Sequence, residues 1–431
     1  MADQYAIQDQ NRFPAMTGHS GTSNDAEVRR VIVNSNGQFS ANVSDVSGQA
    51  SVTVGPFGEM LTAIKQDHVT LNFKYPYYNT TFDMKPEDVS GDGTISVSNS
   101  LLSVSSPTLG TAIAESKNNL MYKSGHTAYA DFTSLFDGTG TGYAGVFDDN
   151  DGFFIKVSNG TASIGRMYGG VQTGLVSQNS WNGDTDLTEI DWSNLNLFRI
   201  IYGYLGVSNI AFQIRKNGWK TLHVIETEGE IKTTTVKNPT FPLRWESQNG
   251  MEIKVGSANA GLLVGEVNNK RYFAFAGAKT LSTTAVATAV HFQNKTTYKT
   301  QPNKNKAQLV KLKLFIDAPA SGTGTVEIKF YKNATITGTP SYADVDANDS
   351  TMEYATNVTY ASGGKLVFVD YVGYNSSVAA SGADTGGSDT VTLSDIGLYL
   401  LEGETMTITA QNVAGSTNVN VRFAFNWLEE F

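Results

Sequence analysis

Strict alternation of apolar and polar side chains constrains this chain most. Val419, Val421, Phe423, Phe425 and Trp427 occupy every second position of one run, with Asn418, Asn420, Arg422, Ala424 and Asn426 between them. Val310, Leu312, Leu314 and Ile316 alternate with Lys311, Lys313 and Phe315. Val326, Ile328 and Phe330 alternate with Glu327, Lys329 and Tyr331. Met406 and Ile408, and Ile210, Phe212 and Ile214, repeat the pattern. A period of two places one set of side chains in a core and the other in water, so each run reads as a half-buried strand. Gly/Ser/Thr/Asn/Asp clusters such as SGDGT, DGTGTG and SGADTGGSDT separate the runs and supply turns. The best helical candidate is the short segment Ala114–Leu120. The expected class is all-β: a short N-terminal β arm, a large lectin-like jelly roll and a C-terminal antiparallel β-sandwich.

At 431 residues the chain exceeds what one core supports, and three parts are expected. Residues 1–65 form the arm, with small β segments at Val31–Val33 and Ala50–Val54. Residues 66–280 form the jelly roll, and residues 281–431, opening on Leu281-Ser282-Thr283-Thr284-Ala285, form the second sandwich.

Composition removes several function classes. There is no cysteine, hence no disulfide framework, thiolate metal site or cysteine nucleophile. A net charge of −10, from 31 basic and 41 acidic residues, argues against nucleic acid as a partner. No apolar stretch approaches the ~20 residues that span a bilayer, so no membrane insertion is expected. The opening MADQYAIQDQNRF lacks the basic start and apolar centre of a secretory signal, so export by that route is not expected.

The chemical motifs are weak. Gly140–Gly145 matches G-x-G-x-x-G, but it runs into Phe153-Phe154-Ile155-Lys156-Val157 rather than a helix, and it reads as a Gly-rich hairpin loop. Asp148, Asp149, Asn150 and Asp151 suggest a cation loop, yet an EF-hand register puts Phe147 and Ser158 at ligand positions. An Asx turn is the expected reading. Glu226, Glu228 and Glu230 are spaced to share a strand face, as glycosidase carboxylates do. Gly229 interrupts them, and they read as the tip of a hairpin between Leu222–Ile225 and Ile231–Lys232. The five histidines are scattered, with His223 expected at a core edge. No metal and no cofactor is expected, and no catalytic residue is assigned.

Lys295, Lys304, Lys306, Lys329 and Lys332 precede an acidic run of Asp344, Asp346, Asp349, Glu353 and Asp370. They read as solvated faces, with a complementary subunit contact as the alternative. Tyr75, Tyr77, Trp181, Trp192 and Trp219 are the candidate sugar-stacking rings.

Several stretches together resemble virion structural proteins of tailed bacteriophages. These are Gln10-Asn11-Arg12-Phe13-Pro14 with Val31-Ile32-Val33-Asn34 and Gly37, then Gly145–Phe154, Trp181-Asn182-Gly183-Asp184, Leu205-Gly206-Val207, Asn217-Gly218, Leu243-Arg244-Trp245-Glu246, and the last domain from Glu353-Tyr354 to Asn426-Trp427-Leu428-Glu429-Glu430. The Gly-rich insert that follows Trp-Asn-Gly-Asp in that family is cut here to Thr185-Asp186-Leu187-Thr188. The resemblance implies a non-enzymatic tail, baseplate or fibre subunit in the virion, assembled in the host cytoplasm. Asn11, Arg12, Phe13 and Pro14 would attach it, and it would contact copies of itself (a homo-oligomer such as a trimer) and other virion proteins. The alternatives are a host-glycan-binding module using the five rings on host polysaccharide, a capsid decoration protein, and a polysaccharide depolymerase using Glu226 and Glu230.

Overall fold

In the computed structural model the alternating runs are strands, and every strand pairing is antiparallel. The structure describes residues 17–18, 29–30, 32–33, 39–40, 65–184, 190–203, 206–227, 232–263, 270–282, 285–317, 323–375, 388–393, 397–414 and 418–430. Two compact units are present, Met1–Thr62 and Ala63–Phe431. The first contains two small hairpin pairings, Thr17–Gly18 with Arg29–Arg30 and Ile32–Val33 with Phe39–Ser40. The proposed attachment residues Asn11, Arg12, Phe13 and Pro14 lie outside the described residues, as do the Ala50–Val54 segment and Thr185–Thr188.

The second unit holds two β-sandwiches. In the first, a nine-stranded sheet runs Trp219–Ile225, Ile210–Arg215, Asn196–Gly203, Thr127–Gly138, Met251–Val255, Leu101–Ser106, Thr94–Ser98. The long Thr127–Gly138 strand also pairs with Ser257–Leu263, which carries Lys65–Asn72 at its edge. A seven-stranded sheet faces it, in the order Val171–Ser177, Thr161–Tyr168, Asp151–Ser158, Thr141–Phe147, Phe241–Gln248, Gly110–Leu120, Asp88–Gly91. The core lies between the sheets. Phe132 of the larger sheet meets the edge of Trp245 of the smaller at 6.5 Å and 81°. Trp245 is fully buried and its indole N–H donates to Ser134 Oγ at 3.0 Å, so its one polar atom is satisfied across the core.

The second sandwich stacks a five-stranded on a six-stranded sheet. Val419, Val421, Phe423, Phe425 and Trp427 all point into it, and Phe425 packs against Phe292 and Phe330 of the opposite sheet at 5.6 and 5.7 Å. Leu309, not Val310, continues the inward row of Leu312, Leu314 and Ile316. A bulge between Leu309 and Lys311 absorbs one residue and turns Val310 aside. Lys270–Leu281 pairs along its whole length with Val419–Glu430, so the second sandwich takes its first strand before residue 281.

Two local expectations are corrected. Ala114–Leu120 is not helical but the second half of the Gly110–Leu120 strand. Seven residues cannot offset the cost of helix nucleation, whereas Ala112 and Ala114 are fully buried in the core as a strand. Gly140–Gly145 is mostly strand rather than loop, since Thr141–Phe147 is paired on both sides. Gly145 is there for close approach: a Cβ would lie 2.2 Å from the carbonyl oxygen of Phe153 on the neighbouring strand.

The basic run is largely paired rather than solvated, while Asp344, Asp346 and Asp349 of the acidic run are exposed as expected. Lys295 pairs with Asp344, Lys304 with Asp148, Lys329 with Glu327 and Lys332 with Glu404. Glu404 sits between Lys332 of its own sandwich and Lys117 of the first, both at 2.6 Å. Lys304 and Asn118 add further links, to Asp148 and to Tyr399. The two sandwiches therefore meet through ion pairs whose partners lie far apart in the sequence.

Candidate functional site

The five candidate rings do not form one surface. Tyr75 and Tyr77 are exposed, 69% and 62%, in the loop after Lys65–Asn72. Trp219 opens the strand at the opposite edge of the same sheet. Four strands separate the two edges, a distance of roughly 24 Å at ~4.8 Å per step. Trp219 lies under the Arg199 guanidinium at 3.9 Å, and Arg199 in turn grips Asp131 with two hydrogen bonds. Trp192 is buried, stacked on Phe198 at 5.7 Å and 9°, and Trp181 meets its edge at 6.3 Å. These two rings close the core and are not offered to a ligand.

The expected glutamate hairpin falls largely outside the described residues, from Glu228 to Ile231. Leu222–Ile225 belongs to a strand that pairs with Ile210–Arg215. Glu226 is exposed beyond the strand end, while Glu228 and Glu230 lie outside the described residues. His223 is buried at the core edge as expected, and its Nδ1 accepts from the Asn182 N–H at 3.2 Å. Asp148 makes the expected Asx turn, accepting from the Asn150 and Asp151 amides at 2.8 and 2.9 Å. Its carboxyl sits below the usual range: burial pushes it up, but Lys304 and those amides outweigh burial. Among the described residues no group of three or more His, Asp or Glu is gathered in a metal-binding arrangement.

A different site is built on the outer face of the seven-stranded sheet. Alternation produces it. In Phe241–Gln248, Phe241, Leu243 and Trp245 point into the core, so Arg244, Glu246 and Gln248 point out. In Thr141–Phe147, Ala144 and Val146 point in, which leaves Tyr143, Gly145 and Phe147 outside. In Asp151–Ser158, Phe154 is on the outer face. The register sets Glu115, Arg244, Gly145 and Phe154 in one row across four strands, with Glu246 opposite Tyr143 in the next.

The result is a recess of about 140 Å3 with a polar rim above a buried aromatic cluster. Tyr143, Phe147 and Phe154 form that cluster, each within 6.4 Å of the other two and no more than 7% exposed. Gln172, Arg244, Glu246, Gln248, Asp148 and Asp149 supply the rim. Arg244 is its organiser. It holds Glu115 at 2.9 Å, Asp149 at 2.7 Å and Glu246 at 2.6 Å, and its guanidinium carbon lies 5.2 Å from the Phe147 ring centre. Burial disfavours its charge, but Glu246, Glu115 and Asp149 outweigh that and hold its pKa above the ordinary value. Gln172 donates to the Tyr143 hydroxyl at 3.1 Å, and Gln248 to Glu246 at 2.5 Å. Asp149 is the exception in being loose: its side chain is 82% exposed, on a turn. The sequence signal for this site is Arg-x-Glu-x-Gln interleaved with Phe-x-Leu-x-Trp. Local pattern hides it, because Glu115 falls in a segment that reads as helix and Gly145 in one that reads as a loop.

No family model and no curated protein matches the chain. Among solved structures it is similar to the carbohydrate recognition domain of Emp46p in its metal-free form, at 9% identity, covering 46% of this chain and 98% of that one with a TM-score of 0.31. A legume lectin-like domain from Entamoeba histolytica matches at 12% identity, 42% and 90% coverage, and a TM-score of 0.28. A glycosyl hydrolase family protein from Mycobacterium fortuitum matches at 10% identity, 45% and 99% coverage, and a TM-score of 0.31.

Proposed function

We propose that this chain is a carbohydrate-recognition protein that binds, without turnover, through the Arg244 recess. One observation carries the reading: a small recess is rimmed by side chains that both donate and accept hydrogen bonds. A sugar presents the matching groups, hydroxyls that do both. The recess is well below the ~300 Å3 of a typical ligand pocket, so it suits one ring of a longer glycan. Hydrolysis is disfavoured because the flanking carboxylates Glu115 and Glu246 are both paired with Arg244. A glycosidase needs one carboxyl free to give up a proton. A glycan array probed with the full-length chain tests the reading. Binding that Gln248→Ala reduces supports it, and binding to no glycan removes it.

A second reading places the protein in a tailed-phage particle, as a tail-, baseplate- or fibre-associated subunit assembled from copies of itself. The sequence resemblance supports it, and so do two long outer strands, Lys270–Leu281 and Lys365–Asn375. Among the described residues each pairs on one side only, and they expose Tyr272, Leu366 and Tyr371. A surface that recognises host polysaccharide is compatible with that location. Deletion of residues 1–40 should block incorporation into particles while both sandwiches still fold. Normal incorporation of the shortened chain would remove the assigned role of Asn11, Arg12, Phe13 and Pro14.

A further inference from the structure

The recess contains one unmet hydrogen-bonding group. The Arg244 side chain is 5% exposed, and its terminal nitrogens are committed to Glu115, Asp149 and Glu246. Its Nε–H is buried with no acceptor. Buried donors are almost always paired, so an unpaired one on a residue that lines the recess is where an acceptor is wanted. We infer that this acceptor is a ring hydroxyl of a neutral sugar, an inference that rests on the carbohydrate-binding reading.

The argument is one of donor and acceptor balance. A hydroxyl accepts from Arg244 Nε–H and, with its own proton, donates to the adjacent Glu246 or Asp149 carboxylate. A carboxylate on the ligand would accept equally well but has no proton to give. It would also bring a negative charge beside two others. Most of the surrounding cations are already matched. Lys304 is taken by Asp148, and Lys85 is taken by Glu115 at 2.8 Å. Asp149 and Glu246 share the single guanidinium of Arg244. Lys156, over the Tyr143 ring at 5.3 Å on the neighbouring row, offsets them in part. The site thus prefers neutral hexose units to uronic acids, the C6 carboxylates of the same rings.

The test compares matched oligosaccharides, galactose oligomers against galacturonate oligomers and glucose against glucuronate, by calorimetry on the full-length chain. The expected result is neutral binding at least about tenfold tighter. Asp149→Asn removes one exposed negative charge without touching the core. It should narrow that gap several-fold. Arg244→Lys keeps the charge but deletes the Nε–H, and should weaken neutral binding about tenfold, with thermal unfolding as the check on its fold. Equal or tighter uronate binding overturns the inference and leaves the carbohydrate reading standing. So does unchanged neutral binding by a folded Arg244→Lys protein. Binding of neither class overturns both.

Discussion

Glu429 offers the sharpest test of how the second sandwich is held together. Its carboxylate is completely buried, and no cation is bonded to it among the described contacts. Four donors converge on it instead: Ser350 Oγ at 2.5 Å, the Thr351 amide at 2.8 Å, Thr351 Oγ1 at 3.0 Å and the Trp427 indole at 2.9 Å. Those donors come from the Ser350–Thr351 turn and from the last strand, so one side chain pins the chain's final strand to a distant loop. In Glu429→Ala the two hydroxyls can turn to other acceptors, but the two N–H groups cannot. Each orphaned N–H costs about 1–3 kcal/mol, and loss of the side-chain volume adds about 1. The sum is about 3–7 kcal/mol, a large share of the ~5–15 kcal/mol that stabilises a domain. At ~2–4 °C per kcal/mol for a unit of this size, the unfolding midpoint should fall by at least about 6 °C, followed by calorimetry. Glu429→Gln separates hydrogen bonding from packing. It keeps the volume but turns an NH2 group toward N–H donors, and should cost about half as much. A shift below ~3 °C in the alanine variant, or a glutamine variant as stable as the native protein, would refute the reasoning.

Three further outcomes are expected. His291 is buried between Thr407 Oγ1 at 2.8 Å and Tyr342 OH at 3.1 Å, and burial holds its pKa below the ordinary value; His223 is shifted the same way, by burial with Glu226 opposing. The unfolded chain therefore takes up protons first as pH falls below ~6.5, and each group removes up to about 1.4 kcal/mol per pH unit until the folded form also titrates. Midpoints measured from pH 7 to 5 should decline, and His291→Gln should flatten the decline; an unchanged slope would show that His291 is not the group involved. Gly145→Ala drives a methyl into the Phe153 carbonyl, and should cost about 1–3 kcal/mol in a denaturant titration and weaken glycan binding. Lys304→Met strands the largely buried Asp148 carboxylate between the sandwiches, and should cost about 2–3 kcal/mol and split one calorimetric transition into two; a single unshifted transition would count against coupling through this pair.

What the sequence disclosed and what it hid follow from the range of the interactions. Alternation is local, so Ile210, Phe212 and Ile214, or the row from Val419 to Trp427, declare their inward face without any knowledge of a partner strand. Where a bulge shifts the count, as at Val310, the same rule misassigns one residue, because the bulge is set by the neighbouring strand and leaves no local trace. The candidate site failed for the same reason on a larger scale. Glu115 and Arg244 are 129 residues apart, and only the pairing of their strands puts them 2.9 Å from each other. Aromatic residues misled in the opposite direction. Trp192 has no local feature separating it from an exposed ring, and its burial is decided by Phe198 and Phe136, which stack against it from other segments. Interleaved patterns such as Phe-Pro-Leu-Arg-Trp-Glu-Ser-Gln retain more information than single residues. When one face of a buried strand is wholly apolar, charged residues on the other face must either reach water or find partners on the outer surface of the sheet. Arg244 reaches no water and has three carboxylates, and a guanidinium held that tightly, with one N–H left over, is a side chain already arranged for a ligand.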